Sequence, residues 1–81
     1  MALVILAPGM RAHTGGLGET EVAATSYRGA VRELQARFPD LTDDVFERCS
    51  VAIDGDQVHT PLLETFTEHS ELVFIPKIAG G

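Results

Sequence analysis

One long stretch of helical periodicity, closed by a proline and flanked by strand-like runs, constrains the fold of this chain more than any other feature. Apolar residues recur there at offsets of three and four and so share one helix face: Tyr27, Ala30, Val31, Leu34 and Phe38. Thr25 or Ser26 is predicted to cap the start, and Pro39 ends the helix because its ring cannot continue the hydrogen-bond ladder. The opposite face is expected to be solvated and carries Arg28, Arg32, Glu33 and Arg37.

Short apolar and β-branched runs predict strands on both sides of that helix. They cover residues 2–7 and 19–24 before it, and residues 49–53, 57–60 and 71–75 after it. A further helical turn is expected over residues 41–46 with Thr42 as its cap, and Asp54-Gly55-Asp56 predicts a tight turn. The order strand, strand, helix, strand, strand, strand indicates an α+β fold in which a sheet carries the helix on one face.

Size and charge narrow the classes of partner. The chain has 81 residues, enough for one small domain, and a formal net charge of −6. Because an acidic surface repels phosphates, nucleic acid and anionic membranes are poor partners, and a basic protein surface is the natural complement. Cys49 is the single cysteine, so an internal disulfide is excluded and a reducing, cytoplasmic location is expected. Residues 1–6 are expected to be too short for a secretion signal or a membrane span.

The last two residues, Gly80 and Gly81, lie only a few residues beyond the final predicted strand. A C-terminal carboxylate that reacts inside another protein must thread a narrow cleft in extended form, and residues without a Cβ atom allow that close approach. A frayed terminus without function is the alternative interpretation of the same residues. The sequence thus predicts a domain over residues 1–76 and a flexible C-terminal tail over residues 77–81.

The segment Val73-Phe74-Ile75-Pro76-Lys77-Ile78-Ala79-Gly80-Gly81 resembles the ending of ThiS/MoaD-like ubiquitin-fold sulfur carriers. Those proteins finish with a hydrophobic strand, a proline, a few small or apolar residues and Gly-Gly. The resemblance implies a β-grasp fold, with a mixed sheet of four to five strands and one main helix packed on one face. A shorter segment, Arg11-Ala12-His13-Thr14-Gly15-Gly16, is similar to a loop of CysO-like members. Many relatives have an Asp-Gly-Asp turn before the last strand, where this chain has Thr67-Glu68-His69-Ser70.

The same resemblance implies a chemistry centred on the carboxylate of Gly81. An adenylating enzyme of the MoeB/ThiF kind would use ATP and magnesium to join AMP to that carboxylate. A persulfide donor would then replace AMP and leave a thiocarboxylate, and a sulfur-accepting synthase would take the sulfur. Ala79 and Gly80 would thread the cleft of the enzyme. The chain would therefore be a protein co-substrate with no catalytic residue, bound cofactor or metal of its own.

Residues beside the tail are candidates for docking onto the adenylating enzyme. Phe74 and Ile78 flank the tail, and one of them is expected in an exposed apolar patch. The alternative for Phe74 is a place in the core, since strand alternation alone does not identify the buried face. Pro76 is expected to stiffen the exit of the tail because its ring fixes φ. A solvated acidic face is expected from Asp40, Asp43, Asp44 and Glu47.

Other kinds of site are not supported by the sequence. Metal-ligand spacing is absent from the three histidines, His13, His59 and His69, and one cysteine is too few for a structural zinc. Residues 15–20 are rich in glycine but lack the Gly-Lys-Ser/Thr ending of a phosphate loop. A hydrolase is unsupported because no base and orienter can be assigned to Ser26, Ser50 or Ser70.

Two functions of other classes remain open. The chain could be a ubiquitin-related modifier joined to target proteins through Gly81, or a passive β-grasp binding module with an inert tail. Lys77 is the only lysine, which limits chains built on the modifier itself. If the chain is a passive module, deletion of Gly80 and Gly81 should leave its activity intact. If it is a sulfur carrier or a modifier, the same deletion should abolish activity. The tail does not determine whether the sulfur enters cysteine, molybdopterin, thiazole, a thiolated tRNA base or a specialised metabolite, and a monomer is the default expectation.

Overall fold

The computed structural model describes residues 1–77, and this range contains five strands and two α-helices. In chain order they are β1 (Ala2–Ile5), β2 (Glu19–Val22), α1 (Tyr27–Arg37), α2 (Asp43–Glu47), β3 (Cys49–Ile53), β4 (Asp56–Val58) and β5 (Glu71–Pro76). Short 3₁₀ helices lie at Pro8–His13 and Pro61–Leu63. The predicted order of elements is confirmed, including the short second helix.

The five strands form one mixed sheet in the order β2-β1-β5-β3-β4. β1 and β5 are parallel, and each of the other neighbouring pairs is antiparallel. The last strand of the chain therefore lies in the middle of the sheet, with β1 on one side and β3 on the other. This arrangement confirms the predicted α+β class and the mixed sheet.

One face of the sheet is buried under the two helices. In the middle of the sheet the residues that pair across the strands on this face are buried, for example Val4 with Leu72 and Val51 with Phe74. The helices add Tyr27, Ala30, Leu34 and Phe46 to the same core. Burying such side chains contributes roughly 1.5–3 kcal/mol each, which makes this face the main source of stability. The apolar face predicted for the main helix is the face that packs.

The caps of the two helices differ. The Ser26 hydroxyl accepts a hydrogen bond of 3.1 Å from the Gly29 N–H, which satisfies one unpaired donor of the first turn of α1. α1 ends at Arg37, before Pro39, as predicted. Thr42 stands at the N-cap of α2, but its side chain makes no cap hydrogen bond. Ser26 is thus the predicted cap that acts through its side chain.

Glu33 and Arg37 correct the expectation of a solvated helix face. The Glu33 carboxylate accepts hydrogen bonds from the backbone N–H groups of Ala23 and Ala24, at 3.0 and 3.1 Å. Arg37 pairs with Glu33 at 2.9 Å and donates to the Thr20 hydroxyl at 2.7 Å. These contacts join α1 to β2. They also explain why β2 ends at residue 22 and not at the predicted residue 24, since the next two N–H groups bind a side chain.

The bounds of β1 and β4 also differ from the prediction for local reasons, and β5 is one residue longer than predicted. The Leu6 N–H still donates to the Gly18 carbonyl, as the next rung of the pairing with β2, but β1 ends at residue 5 because Pro8 begins a 3₁₀ helix. β4 covers residues 56–58, where residues 57–60 were predicted, because Asp54 and Gly55 alone form the turn. Their φ values of 51° and 87° are those of a type I′ turn, whose twist suits a two-residue hairpin.

The Asp54 carboxylate connects this hairpin to the start of β5. It accepts hydrogen bonds from the Ser70 hydroxyl at 2.8 Å and from the Glu71 N–H at 2.9 Å. The Ser70 N–H in turn donates to the Thr67 carbonyl and closes the loop before β5. The loop before β5 is therefore held by an aspartate that follows β3, at the same end of the β3–β5 pair.

The substitution Asp54→Asn tests this connection through pH. The Glu71 N–H and the Ser70 hydroxyl hold the pKa of the Asp54 carboxyl below its usual value of 3.8. Because the folded pKa is lower than the unfolded one, the carboxylate contributes stability above the unfolded pKa, and this is lost as pH falls through the folded pKa. Thermal unfolding followed by circular dichroism should show the Tm advantage of the parent over the variant shrinking between about pH 6 and pH 2.

Asparagine keeps the shape of the side chain and tolerates positive φ, so the variant is a close match for the parent. A Tm difference that stays constant over this pH range would show that the carboxylate charge contributes nothing at this position.

Candidate functional site

β5 leads the chain out of the middle of the sheet at Pro76 and Lys77. The Lys77 N–H donates a 3.0 Å hydrogen bond to the Arg48 carbonyl, one residue beyond the strand. Pro76 lies opposite Cys49, in the position between two hydrogen-bonded pairs of the antiparallel ladder. Its missing N–H therefore removes no bond to β3, and the fixed φ of proline is accommodated without loss. The backbone is held by the sheet as far as Lys77.

The residues predicted to carry the chemistry lie outside the described residues. These are Gly81, the predicted adenylation and thiocarboxylate site, with Gly80, Ala79 and Ile78 before it. Their roles, and the extent of the predicted tail over residues 77–81, stay predictions.

Phe74 belongs to the core and offers no docking surface. Its side chain is 3 % exposed, and its ring contacts Tyr27 and Phe46 at centroid distances of 6.2 and 5.5 Å. The geometry is tilted in one pair and edge-to-face in the other, which is favourable for aromatic rings. The predicted docking role for Phe74 is corrected, because β5 turns this side chain toward the helices. Pro76 is exposed.

The other face of the sheet is covered by neither helix, and we call it the open face. The residues that pair across it include Leu3, Ile5 and Val73, which are half-buried, and Ile75 is 39 % exposed. Acidic residues border this apolar stripe, namely Glu19, Glu21 and Glu71. The five strands contain no lysine or arginine, and Arg37 of α1 reaches the edge beside Glu19 and Glu21. The open face is therefore apolar in the middle and mainly acidic at its margin.

A groove of about 540 Å³ lies beside the point where the chain leaves the sheet, and we call it the exit groove. Its apolar lining includes Tyr27, Val31, Val58 and Leu62, and Cys49 lies at the same site. Three basic residues line it as well, Arg28, Arg32 and Lys77. Lys77 thus belongs both to the tail exit and to the groove.

Cys49 is a structural residue at the start of β3. It is half-buried, and burial raises the pKa of its thiol, while the nearby Lys77 ammonium acts in the opposite direction. A raised pKa keeps sulfur in the protonated, weakly nucleophilic form at neutral pH. Burial also raises the pKa of the neighbouring Tyr27 hydroxyl. These two groups are therefore neutral at physiological pH.

Residues 11–16, the segment that resembles a loop of CysO-like proteins, belong to a tight loop at the same end of the sheet as the tail exit. Because β1 and β5 are parallel, the loop after β1 and the end of β5 lie on the same side of the sheet. Thr14 is buried, and its hydroxyl bonds to the Leu17 carbonyl at 2.9 Å. Gly15 and Gly16 have φ values of 68° and 91°, which glycine adopts readily. The segment is thus explained by the geometry of the loop.

Across residues 1–77, no group of three or more histidine, cysteine or acidic side chains is arranged to hold a metal ion. No helix in the same range is long and apolar enough to cross a membrane.

Sequence reasoning missed the open face and the exit groove. Alternation in β1 and β5 signals two different faces, but both faces are apolar in these strands, so the pattern does not say which one is covered. The signal for the groove is the pair Arg28 and Arg32, two like charges four residues apart on a helix. The partners that complete the groove come from distant parts of the chain.

A five-stranded mixed sheet with a helix across one face and its last strand in the middle is a ubiquitin-like β-grasp fold. No family model matches the chain, and no curated protein sequence matches it significantly. Solved structures match over its whole length. A chain of the crystal structure of the Amycolatopsis orientalis BexX/CysO complex superposes with a TM-score of 0.80 at 19 % identity, covering 100 % of both chains.

Two archaeal structures show the same likeness. The solution structure of small archaeal modifier protein 1 (SAMP1) from Methanosarcina acetivorans has a TM-score of 0.80 at 18 % identity, over 99 % of this chain and 95 % of the other. The crystal structure of SAMP1 from Haloferax volcanii has a TM-score of 0.71 at 20 % identity, over 99 % and 98 %. At these identities the likeness establishes the β-grasp fold.

Phe74→Ala and Ile75→Ala form a matched pair that tests the two faces of β5. Phe74→Ala should lower the free energy of unfolding by about 3–5 kcal/mol, because it opens a cavity between Tyr27 and Phe46. Ile75→Ala, on the open face, should cost less than about 1.5 kcal/mol. Urea unfolding measures both values. Equal losses for the two variants would contradict the assignment of Phe74 to the core.

Proposed function

We propose that this chain is a ubiquitin-fold sulfur carrier, whose Gly81 carboxylate is adenylated and then converted to a thiocarboxylate. One observation carries the proposal. A Gly-Gly ending follows the central strand of a β-grasp domain, with the last described residue, Lys77, still bonded to the sheet. The domain thus offers a firm base for a short tail that ends in small residues.

The length of the tail suits this function. Four residues follow Lys77, and an extended chain spans at most about 3.3–3.6 Å per residue, which gives a reach of roughly 13–14 Å. That reach takes the carboxylate into the cleft of a partner while the domain stays folded outside. Gly80 and Gly81 have no Cβ, so a narrow cleft can close around the backbone and ATP can approach the carboxylate.

The proposed reaction has three steps when a persulfide is the donor. A carboxylate oxygen of Gly81 attacks the α-phosphorus of ATP, pyrophosphate leaves, and an acyl-adenylate forms on a MoeB/ThiF-like enzyme that holds ATP and Mg²⁺. The terminal sulfur of a persulfide then attacks the acyl carbon, and AMP leaves with the bonding electrons. A thiol of the donor cleaves the resulting S–S bond by forming its own disulfide, which leaves the thiocarboxylate. With hydrosulfide as the donor, the thiocarboxylate forms directly.

In this proposal the chain is a co-substrate and its partners are the enzymes. It needs no catalytic side chain and binds no cofactor, because ATP and Mg²⁺ belong to the adenylating enzyme. The raised pKa of Cys49 is consistent with this role, since the thiol is not prepared as a nucleophile. The neighbour solved in the BexX/CysO complex supports a function carried out with a partner protein. The cytoplasm, where ATP and reduced sulfur are available, is the proposed location.

The open face is the proposed docking surface for the adenylating enzyme. Ile75 lies next to Pro76 at the exit, so a protein seated on this face is beside the tail. The apolar stripe offers burial, and the acidic margin favours a partner with basic residues around an apolar patch. Pro76 and Ile78 are proposed to extend this contact toward the tail.

A second candidate is a protein modifier conjugated through Gly81. It is favoured by the names of the two SAMP1 neighbours, which describe them as modifier proteins. Both candidates share the acyl-adenylate and differ in the group that attacks it, a sulfur in the carrier and a lysine amine in the modifier.

Gly81→Ala tests the proposed threading of the tail. With an adenylating enzyme, ATP and hydrosulfide, the variant should form pyrophosphate and thiocarboxylate at least about a hundredfold more slowly than the parent, because a misplaced reacting group costs about that much. Its Tm should be unchanged. Gly9→Ala is the matched control, since the added methyl group meets no atom within 4 Å, and it should react like the parent.

The products separate the alternatives. Equal rates for Gly81→Ala and the parent would contradict the threading step. An isopeptide bond between Gly81 and lysines of other proteins, without thiocarboxylate, would identify the modifier. Full activity after deletion of Gly80 and Gly81 would contradict both candidates and identify the chain as a passive binding module.

A further inference from the structure

The exit groove gathers basic side chains on a chain whose net charge is −6. Arg28, Arg32 and Lys77 are three of its six lysine and arginine residues. Within residues 1–77, neither Arg28 nor Arg32 takes part in an ion pair, whereas Arg37 pairs with Glu33 on the same helix. The positive charge at the groove is therefore available to a partner.

The placement of Arg28 and Arg32 is unfavourable for α1 itself. They stand four residues apart, where like charges destabilise a helix. Arg28 also lies in the first turn, where the helix dipole favours a negative charge, and this turn contains no acidic residue. A bound carboxylate would offset both effects. Folding of the domain gives no reason for this arrangement, and binding of an anionic group does.

The groove also has an apolar part that is open to solvent. Tyr27, Val31 and Val58 line it, and Leu62 is 64 % exposed at the same site. Two acidic residues, Asp43 and Glu47, line it from α2. The Gln35 amide donates a 2.7 Å hydrogen bond to the Asp43 carboxylate. Gln35 lies about one helical turn after Arg32, so the negative charge of Asp43 is held away from the start of α1. An anionic partner is therefore expected to bind at the start of α1.

We propose that the exit groove binds an acidic and apolar segment of a partner protein. Carboxylates of that segment pair with Arg28 and Arg32. Its apolar side chains cover Val31, Val58 and Leu62. The identity of the partner rests on the proposed function. Because Lys77 lines the groove and precedes the tail, an enzyme that receives the tail lies against this surface. The groove is thus a second contact, opposite in charge to the acidic open face.

An NMR titration of the full chain with a designed peptide tests the proposal. The probe is a short capped peptide that alternates glutamate with leucine and phenylalanine, and its matched control has glutamine at each glutamate position. The glutamate peptide should shift the amide signals of Val31, Cys49 and Val58 and leave those of Leu3 and Val73 unchanged. The Kd of the glutamine peptide should be at least about tenfold higher, because this peptide lacks the charged partner for the guanidinium groups.

Charge-removing variants test whether Arg28 and Arg32 bind the carboxylates of the peptide. The double substitution Arg28→Gln and Arg32→Gln should raise the Kd of the glutamate peptide about tenfold, and the effect should fade at high salt. Arg48→Gln is a single-charge control: it removes one positive charge from an exposed residue that does not line the groove, and it should change the Kd less than about twofold. Both arginines are exposed and unfavourably placed for α1, so the double variant should unfold at the Tm of the parent or slightly above it.

Several results would overturn the proposal. These are equal affinity for both peptides, shifts confined to the open face, or a Kd that the double variant leaves unchanged. A more than tenfold gain in affinity after deletion of residues 78–81 would assign the groove to the chain's own tail. A dimer in sedimentation experiments that the double variant dissociates would assign it to a second copy.

The test is separate from that of the proposed function. Thiocarboxylate on the parent chain without peptide binding would refute the groove alone. Peptide binding with no thiocarboxylate in the presence of enzyme, ATP and hydrosulfide would refute the sulfur carrier and leave the groove in place.

Discussion

The pairing of β5 between β1 and β3 is the constraint on which the rest of this structure depends. It brings the last strand of the chain into the middle of the sheet, where Leu72 and Phe74 are buried beneath the helices. The same strand presents Val73 and Ile75 on the open face. The start of β5 is bonded to both β1 and β3, and its end, from which the chain leaves, is bonded to β3 and to the Arg48 carbonyl as far as Lys77. Loss of this pairing would remove the core, the open face and the tail exit together.

The two sides of the molecule differ in charge in a way that follows from the fold. Strands without any basic residue form a sheet whose exposed face is bordered by glutamates. The basic residues are found on the helices, the first loop and the end of β5, and three of them meet at the exit groove. The tail begins at the boundary between these surfaces. Two surfaces of different charge beside the tail exit would let the proposed partner protein contact the domain from both sides.

Much of the fold could be predicted because its signals are local. The helix face, the Ser26 cap, the Pro39 stop and the Asp54-Gly55 turn each depend on a few neighbouring residues. The role of Glu33 could not be predicted, since the N–H groups that it binds lie about ten residues earlier in a different element. The position of Phe74 required knowledge of which sheet face the helices cover. The exit groove required the juxtaposition of α1, β4 and the end of β5, which no periodicity encodes. The tail differs from the groove in this respect. Its residue types and its position can be identified from the sequence, whereas its proposed contacts are with a partner protein.

The most direct measurement is the intact mass of the protein purified from its native cells, with the C-terminal peptide sequenced by fragmentation. A sulfur carrier predicts a fraction whose mass is higher by the exchange of one oxygen for one sulfur, and the change should lie on Gly81. A chain found only with an unmodified C-terminal carboxylate, under conditions in which sulfur transfer is active in the cell, would contradict the proposed function.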